Sequence, residues 1–132
     1  MQIIGPIFIG ILFITAASLF KEPNRKQFMA VMLAGAGAAY LNGGFDKWEF
    51  AFTTVMTYCA YQGLRYYRFI GIGWLLHTGW DVLHHLYGNP IVPFAPDSSL
   101  GCALCDPVIA VWCFAGAPSV YGLFARKSPR AV

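Results

Sequence analysis

Five long apolar stretches run through the sequence and constrain its fold more than any other feature. A helix needs about 20 residues, and at least about 17, to cross the hydrocarbon core of a bilayer. Because lipid offers no water to satisfy backbone groups, such segments must be helices. The pattern therefore predicts an all-α polytopic membrane protein, a single domain over residues 1–132 built as a bundle of five transmembrane helices. The predicted spans are residues 3–20, 28–44, 50–64, 69–87 and 107–124.

The composition supports this interpretation. Only 11% of the residues are charged and 58% are hydrophobic, whereas about a quarter of an average soluble domain is charged. The length excludes a second domain or a nucleotide-binding fold. The net charge of +3 does not indicate a nucleic-acid partner, since the basic residues lie between apolar stretches and form no patch. The expected partner is the lipid bilayer.

The basic residues predict an orientation in the cell membrane. With five spans, eight of the nine lysines and arginines fall on the side of the C-terminus, and only Lys47 falls on the other. Basic loops stay in the cytoplasm, so the N-terminus is expected outside and the C-terminus in the cytoplasm. The first stretch lacks a positive n-region and is predicted to be retained. The eight residues are Lys21, Arg25, Lys26, Arg65, Arg68, Arg126, Lys127 and Arg130.

All three histidines lie in the fourth stretch, together with an aspartate. With His77 as zero and about 100° per helical residue, Asp81 falls at about 40°, His84 at about −20° and His85 at about 80°. Four ionisable side chains thus share one side of a helix. Burying them in a membrane costs several kcal/mol unless they are paired, metal-bound or hydrated. The stripe formed by His77, Asp81, His84 and His85 is therefore the main candidate site.

Three functions and one structural role fit the stripe. His77 and Asp81, with His84 or His85, are predicted to bind a transition metal such as iron, zinc, copper or manganese. Asp81 could instead orient a ligating histidine, or the stripe could relay protons. The structural alternative is a hydrogen bond between His77 and Asp81. One helix cannot complete a coordination sphere, so further ligands must come from a second subunit or from Asn42, Asp46, Glu49, Asp97, Cys102, Cys105 or Asp106.

Haem is disfavoured as the cofactor. Membrane haems are usually held by histidines on two helices, whereas these histidines share one helix. Only a homodimer that brings a second His77 to the interface would suit a haem.

Cys102 and Cys105 form a C-x-x-C pair near the start of the last stretch. Three interpretations stay open: a passive disulfide or packing, thiol–disulfide exchange with a quinone or a soluble partner, and metal ligation. Cys59 and Cys113 lie inside apolar stretches, where packing is the simpler role.

Small residues in the second stretch favour close helix packing. Gly35 with Ala39, and Ala34 with Ala38, are spaced four residues apart, as at many helix contacts. The contact is expected within the bundle, with a homo-oligomer seam as the alternative.

The segment from His77 to Pro90, with its H-x3-D-x2-H-H pattern, is followed by Asp97-Ser98-Ser99 and by Cys102. It resembles a family of small bacterial integral membrane proteins of unknown function. The resemblance implies a polytopic helical protein and no particular chemistry. Di-iron membrane hydroxylases also use histidine boxes, but they place several on different segments, whereas this chain has one.

The sequence leads to two functional hypotheses. The first is a membrane-embedded metal-binding protein, an oxidoreductase that acts on a lipophilic substrate or quinone. The alternative is a non-enzymatic transporter, proton-handling or accessory subunit. The pattern does not decide whether the chain is an enzyme.

Overall fold

The computed structural model describes residues 2–41 and 43–126, and in these ranges the chain forms six helices. Asn42, Lys127 and Arg130 lie outside the described residues. The helices are α1 (Ile4–Ala17), α2 (Asn24–Ala38), α3 (Lys47–Gly63), α4 (Tyr67–Tyr87), α5 (Ser98–Phe114) and α6 (Val120–Arg126).

The prediction of a five-span membrane bundle is wrong. Within the described part of the chain, no helix combines the length and the apolar character needed to cross a membrane. Helices α1, α2, α3 and α5 have 14, 15, 17 and 17 residues, or about 21–26 Å at 1.5 Å per residue, against a hydrocarbon core of about 30 Å. The 21-residue α4 is long enough, but it carries the histidines and Asp81. The predicted multi-pass location in the cell membrane, with its outer N-terminus and cytoplasmic C-terminus, is wrong for the same reason.

The last apolar stretch folds differently from the predicted span 107–124. Helix α5 begins at Ser98 and passes through Pro107, which has no N–H to donate to the preceding turn. The chain then turns sharply at Gly116 and Ala117, where φ is 86° and 47°, before α6 begins. Asp106 consequently lies in the interior of a helix, and its side chain faces a neighbouring helix.

Helix α4 is central to the packing. It contacts α2, α3 and α5, while α1 packs on α5. The apolar core includes Leu33, Met56, Ile70, Trp74 and Ala110, all of which are buried. Each large apolar side chain contributes about 1.5–3 kcal/mol when it is fully buried. This packing surrounds the polar face of α4 with helices.

Glycines set how closely α2 approaches its neighbours. A Cβ added at Gly37 would lie 2.4 Å from the Cβ of Met56 in α3. One added at Gly73 would lie 2.4 Å from Cδ2 of Leu33. At Gly35, part of the predicted small-residue pattern, an added Cβ would meet nothing within 4 Å in the described part of the chain. The close contact therefore uses Gly37, and it holds the C-terminal end of α2 against α3 and α4.

Arg25 closes the opposite end of the molecule. Its side chain is buried, and it donates hydrogen bonds to the carbonyls of Phe20 (3.0 Å) and Ala117 (2.9 Å). The sequence predicted a topology-setting charge here, whereas the structure uses the guanidinium to join the start of α2 to the turn after α5.

Candidate metal centre

Helix α4 turns three of its four predicted site residues inward. His77, Asp81 and His84 are each at most 1% exposed, whereas His85 is exposed. Spacings of four and three residues keep the first three on one side of a helix, and residue 85 rotates away from them. The structure therefore separates His85 from the other members of the stripe.

His77 is the residue on which the polar contacts converge. Its Nδ1 lies 2.7 Å from Oδ2 of Asp106 and 2.9 Å from Oδ2 of Asp81. Its Nε2 lies 3.0 Å from the carbonyl oxygen of Ala36. Because a carbonyl oxygen can only accept, Nε2 must carry its hydrogen and donate it. Nδ1 is therefore the nitrogen that faces both carboxylates.

His77, Asp81 and Asp106 form a group that can hold a metal ion. One nitrogen and two carboxylate oxygens lie within 4.8 Å of one another, and all three residues are buried. Metal-binding histidines usually donate their second ring N–H to a backbone carbonyl or a carboxylate. The contact between His77 and Ala36 has this form.

Asp81 holds one satisfied and one unsatisfied oxygen. Its Oδ1 accepts a 2.6 Å hydrogen bond from the hydroxyl of Tyr40. Its Oδ2 is close to His77 Nδ1, yet among the described residues it receives no hydrogen bond, because the imidazole hydrogen is directed at Asp106. A buried acceptor without a donor is costly, and a cation placed between the two aspartates would remove that cost.

His77 and Asp106 are buried side by side, and the pKa of each is raised. Burial by itself would lower the pKa of His77, but the hydrogen bond that Nδ1 donates to Asp106 and the negative charges of Asp81 and Asp106 outweigh it and raise the pKa to about 10. Burial also raises the pKa of the Asp106 carboxyl to about 7, against the opposing effect of His77. With both carboxylates ionised and His77 protonated, the group carries one net negative charge. The group of His77, Asp81 and Asp106 therefore has a negative charge that no nearby cation neutralises among the three residues.

Tyr40 lies between the group of His77, Asp81 and Asp106 and a second polar cluster, which is formed by Glu49, Trp80 and His84. Its hydroxyl donates to Asp81 and contacts Oγ of Ser99 at 2.7 Å, while Ser99 accepts from the backbone N–H of Ile91. Its ring stacks on His84 at 3.8 Å with an interplanar angle of 12°. Tyr40 was not predicted as a site residue, because a tyrosine at the end of an apolar stretch gives no signal of its partner.

Glu49 pairs with His84 instead of joining the metal group. Its Oε1 lies 2.7 Å from His84 Nε2. Trp80 Nε1 donates to Oε2 of Glu49 at 3.0 Å, and His84 Nδ1 donates to the carbonyl of Asn89 at 3.1 Å. This second cluster joins α3, α4 and the loop that follows α4.

The remaining predicted ligands are distributed elsewhere. Asp46 and Asp97 are exposed at the starts of α3 and α5. All four cysteines lie in the described ranges, and all are free thiols. Cys102 and Cys105 are half-buried on α5, close to Asp106 in the chain but outside the three-residue group.

A comparison with family models identifies the family to which the chain belongs. A family of unknown function, DUF6010, matches residues 1–119. The resemblance to a family of unknown function is thereby confirmed, and it assigns no role to any residue. No curated protein and no solved structure matches the chain.

Proposed function

We propose that this chain is a metalloprotein that binds one divalent transition-metal ion through His77, Asp81 and Asp106. The ligand atoms would be Nδ1 of His77 and one oxygen from each carboxylate. The observation that carries the proposal is the buried Oδ2 of Asp81, which lies 2.9 Å from His77 Nδ1 but receives no hydrogen bond in the described part of the chain.

Charge balance supports a divalent ion. A neutral His77 with two carboxylates carries two negative charges, which a divalent cation neutralises. Burying net charge is expensive, so a neutral centre suits this position better than the metal-free group does. Imidazole suits zinc, copper, iron and nickel, while carboxylates suit manganese. Iron, zinc and manganese are the metals that we expect to fit best, and three ligands leave further positions for water, substrate or another side chain.

The residues around the centre would hold its ligands in place. The hydroxyl of Tyr40 keeps Asp81 Oδ1 occupied, so only Oδ2 is presented to the metal. The carbonyl of Ala36 fixes the hydrogen on His77 Nε2, so Nδ1 is presented to it. Such supporting contacts typically change metal affinity 10- to 100-fold.

Metal analysis of the purified protein tests the proposal directly. After incubation with iron, zinc or manganese under reducing conditions and removal of free metal, the wild type should retain about one ion per chain. His77→Ala and Asp106→Asn should each retain almost none. Exposed residues in α4 and immediately before α5 provide matched controls, because His85→Ala and Asp97→Asn should bind like the wild type. A wild type that retains no more metal than His77→Ala would contradict the proposal and favour a purely structural polar core.

An oxidoreductase acting on a lipophilic substrate or quinone is the activity that we propose for this centre. One observation favours it: an apolar cleft of about 340 Å³ lies between α3 and α4. Trp80 in its wall stacks on Phe52 at 4.6 Å, and Phe52 lies 6.1 Å from the His77 ring. The lining residues are Phe45, Trp48, Trp80, Leu83 and Tyr87.

Tryptophan fluorescence tests whether the cleft binds such a molecule. A short-chain quinone should quench the wild type saturably, and Trp80→Leu should weaken that binding. Trp112→Phe, which lies outside the cleft, should not. Quenching that does not saturate, or that is unchanged in Trp80→Leu, would contradict the proposed substrate class.

A further inference from the structure

An open apolar groove lies between α2 and α3, distinct from the cleft beside Trp80, which lies between α3 and α4. The two helices line it with Ala30, Val31 and Ala34 on one side and with Thr57, Ala60 and Tyr61 on the other. Its volume is about 220 Å³, whereas an engineered protein cavity of about 150 Å³ holds a benzene molecule. The groove can therefore hold an apolar group larger than a benzene ring.

The walls of this groove are apolar, although one of them carries a threonine. The hydroxyl of Thr57 donates its hydrogen to the carbonyl of Thr53 at 2.8 Å and is thereby satisfied within α3. Val31, Tyr61 and Leu64 line the groove and are exposed. Because contiguous exposed apolar surface often marks a binding site, the groove suits an apolar chain better than a polar molecule.

Basic side chains stand at one end of the groove. Lys26 precedes Ala30 by four residues, and Arg65 follows Tyr61 by four, a spacing that keeps side chains on one side of a helix. Nζ of Lys26 lies 5.1 Å from the centre of the Tyr67 ring, only two residues beyond Arg65 in the chain. Both walls of the groove therefore lead to a cation at the same end of the molecule.

This end of the molecule carries an excess of positive charge. The segments 21–26 and 65–68 contain five basic residues and one acidic residue, Glu22. Glu22 accepts a hydrogen bond from the hydroxyl of Tyr67 and lies 3.6 Å from Nη1 of Arg25. In the described part of the chain, neither Lys26 nor Arg65 forms an ion pair with a carboxylate. An anion at this end of the groove would therefore meet two available cations.

We propose that the groove binds a long-chain fatty acid, with the alkyl chain between α2 and α3 and the carboxylate at Lys26 and Arg65. The chain matches the apolar walls, and a carboxylate forms charge-assisted hydrogen bonds with lysine and arginine side chains. A neutral hydrocarbon, or an apolar helix of a second copy, would cover the walls but leave both cations without a partner. The site is separate from the metal centre and does not depend on it.

Calorimetric titration of the full-length protein with dodecanoate tests the proposal. The titration is made below the critical micelle concentration and at about pH 8, where a carboxyl group is ionised. The wild type should bind about one dodecanoate per chain. Affinity should rise about fourfold with each added methylene group until the chain outgrows the groove. The neutral 1-dodecanol should bind more weakly, by up to about fivefold for each of the two exposed ion pairs that it cannot form.

Two threonines of α3 provide a matched pair of variants. Thr57 and Thr54 are both exposed, and each donates its hydroxyl hydrogen to the carbonyl four residues earlier at 2.8 Å. Only Thr57 lies in the groove wall. Thr57→Trp should therefore fill the groove and abolish dodecanoate binding, whereas Thr54→Trp should bind like the wild type.

Charge variants test the other end of the ligand. Lys26→Gln and Arg65→Gln should each weaken dodecanoate binding by up to about fivefold and leave 1-dodecanol binding unchanged. Lys47→Gln, at an exposed position at the start of α3 and away from this end, should change neither. Trp80→Leu alters the other cleft and should also leave dodecanoate binding unchanged.

Several results would overturn the proposal. They are the absence of saturable binding, equal affinities for dodecanoate and 1-dodecanol, and binding that survives in folded Thr57→Trp or is lost in Trp80→Leu. Sedimentation without ligand tests the remaining occupant, because a wild-type dimer that Thr57→Trp dissociates would assign the groove to a second copy. The comparison of the acid with the alcohol needs only the wild type, so it decides the proposal even if Thr57→Trp does not fold.

Discussion

The hydroxyl of Tyr40 lies 2.6 Å from Oδ1 of Asp81 and joins α2 to α4 at the centre of the molecule. This bond occupies one oxygen of the carboxylate and leaves the other facing His77. A residue 41 positions away in the chain thus determines which atom Asp81 offers to a ligand.

The first prediction concerns this hydrogen bond. Tyr40→Phe should lower metal affinity about 10- to 100-fold, as expected when a contact that orients a ligand is lost, while about one ion still binds at saturation. Competition with a chelator of known affinity measures the change. Tyr61→Phe alters an exposed tyrosine and should leave the affinity unchanged. An affinity of Tyr40→Phe equal to that of the wild type would show that Tyr40 does not orient Asp81.

Metal affinity should also depend on pH. The ion must displace the hydrogen from His77 Nδ1, whose pKa is raised to about 10 by the neighbouring carboxylates in spite of burial. Below that pH a proton competes with the metal ion for Nδ1. The apparent metal affinity should therefore fall about tenfold for each unit by which the pH is lowered. Below about pH 7 the fall should steepen, because Asp106, with a pKa raised to about 7 by burial, also becomes protonated. Chelator competition between about pH 6 and pH 9 measures the slope, and a flat profile would exclude His77 as a ligand.

The Glu49–His84 pair should affect stability and not metal content. Glu49 is 1% exposed, and its removal leaves the buried N–H of Trp80 without its acceptor and His84 Nε2 without its polar neighbour. Leaving a buried polar group without its partner typically costs about 1–3 kcal/mol, and more for a charged group. Glu49→Ala should therefore lower the free energy of unfolding by about that amount, measured by denaturant titration, and keep about one ion per chain in its folded form. Lys47→Ala, exposed on the same helix, is the control; loss of metal from folded Glu49→Ala would place Glu49 in the centre.

Two glycines of α2 offer a matched test of the packing. Gly37→Ala places a Cβ 2.4 Å from that of Met56, and overpacking of this kind costs about 1–3 kcal/mol. Gly35→Ala meets nothing within 4 Å in the described residues and should stabilise the helix by up to about 1 kcal/mol. Thermal unfolding of both variants should show shifts of opposite sign. Equal shifts would contradict the close contact between α2 and α3.

Helical periodicity in the sequence was enough to predict an all-helical chain and to place His77, Asp81 and His84 on one side of a helix. The angular position of a side chain within a helix depends only on its spacing along the chain. The same apolar stretches misled the prediction of membrane spans, because apolar runs do not show where each helix ends. The last stretch is divided between α5 and α6, and no helix in the described part of the chain combines the length and the apolar character of a span.

The partners of the stripe were decided only by the tertiary structure. Asp46, Glu49 and Asp106 were equivalent candidates in the sequence, yet Asp106 contacts His77, Glu49 contacts His84, and Asp46 is exposed. Which side chains meet across helices depends on how closely the helices approach and at what level they cross, and here Gly37 and Gly73 permit the close approach. Spacing along one helix carries no information about that level, so the sequence determined the face of α4 and the packing of α2, α3 and α5 against it determined the site.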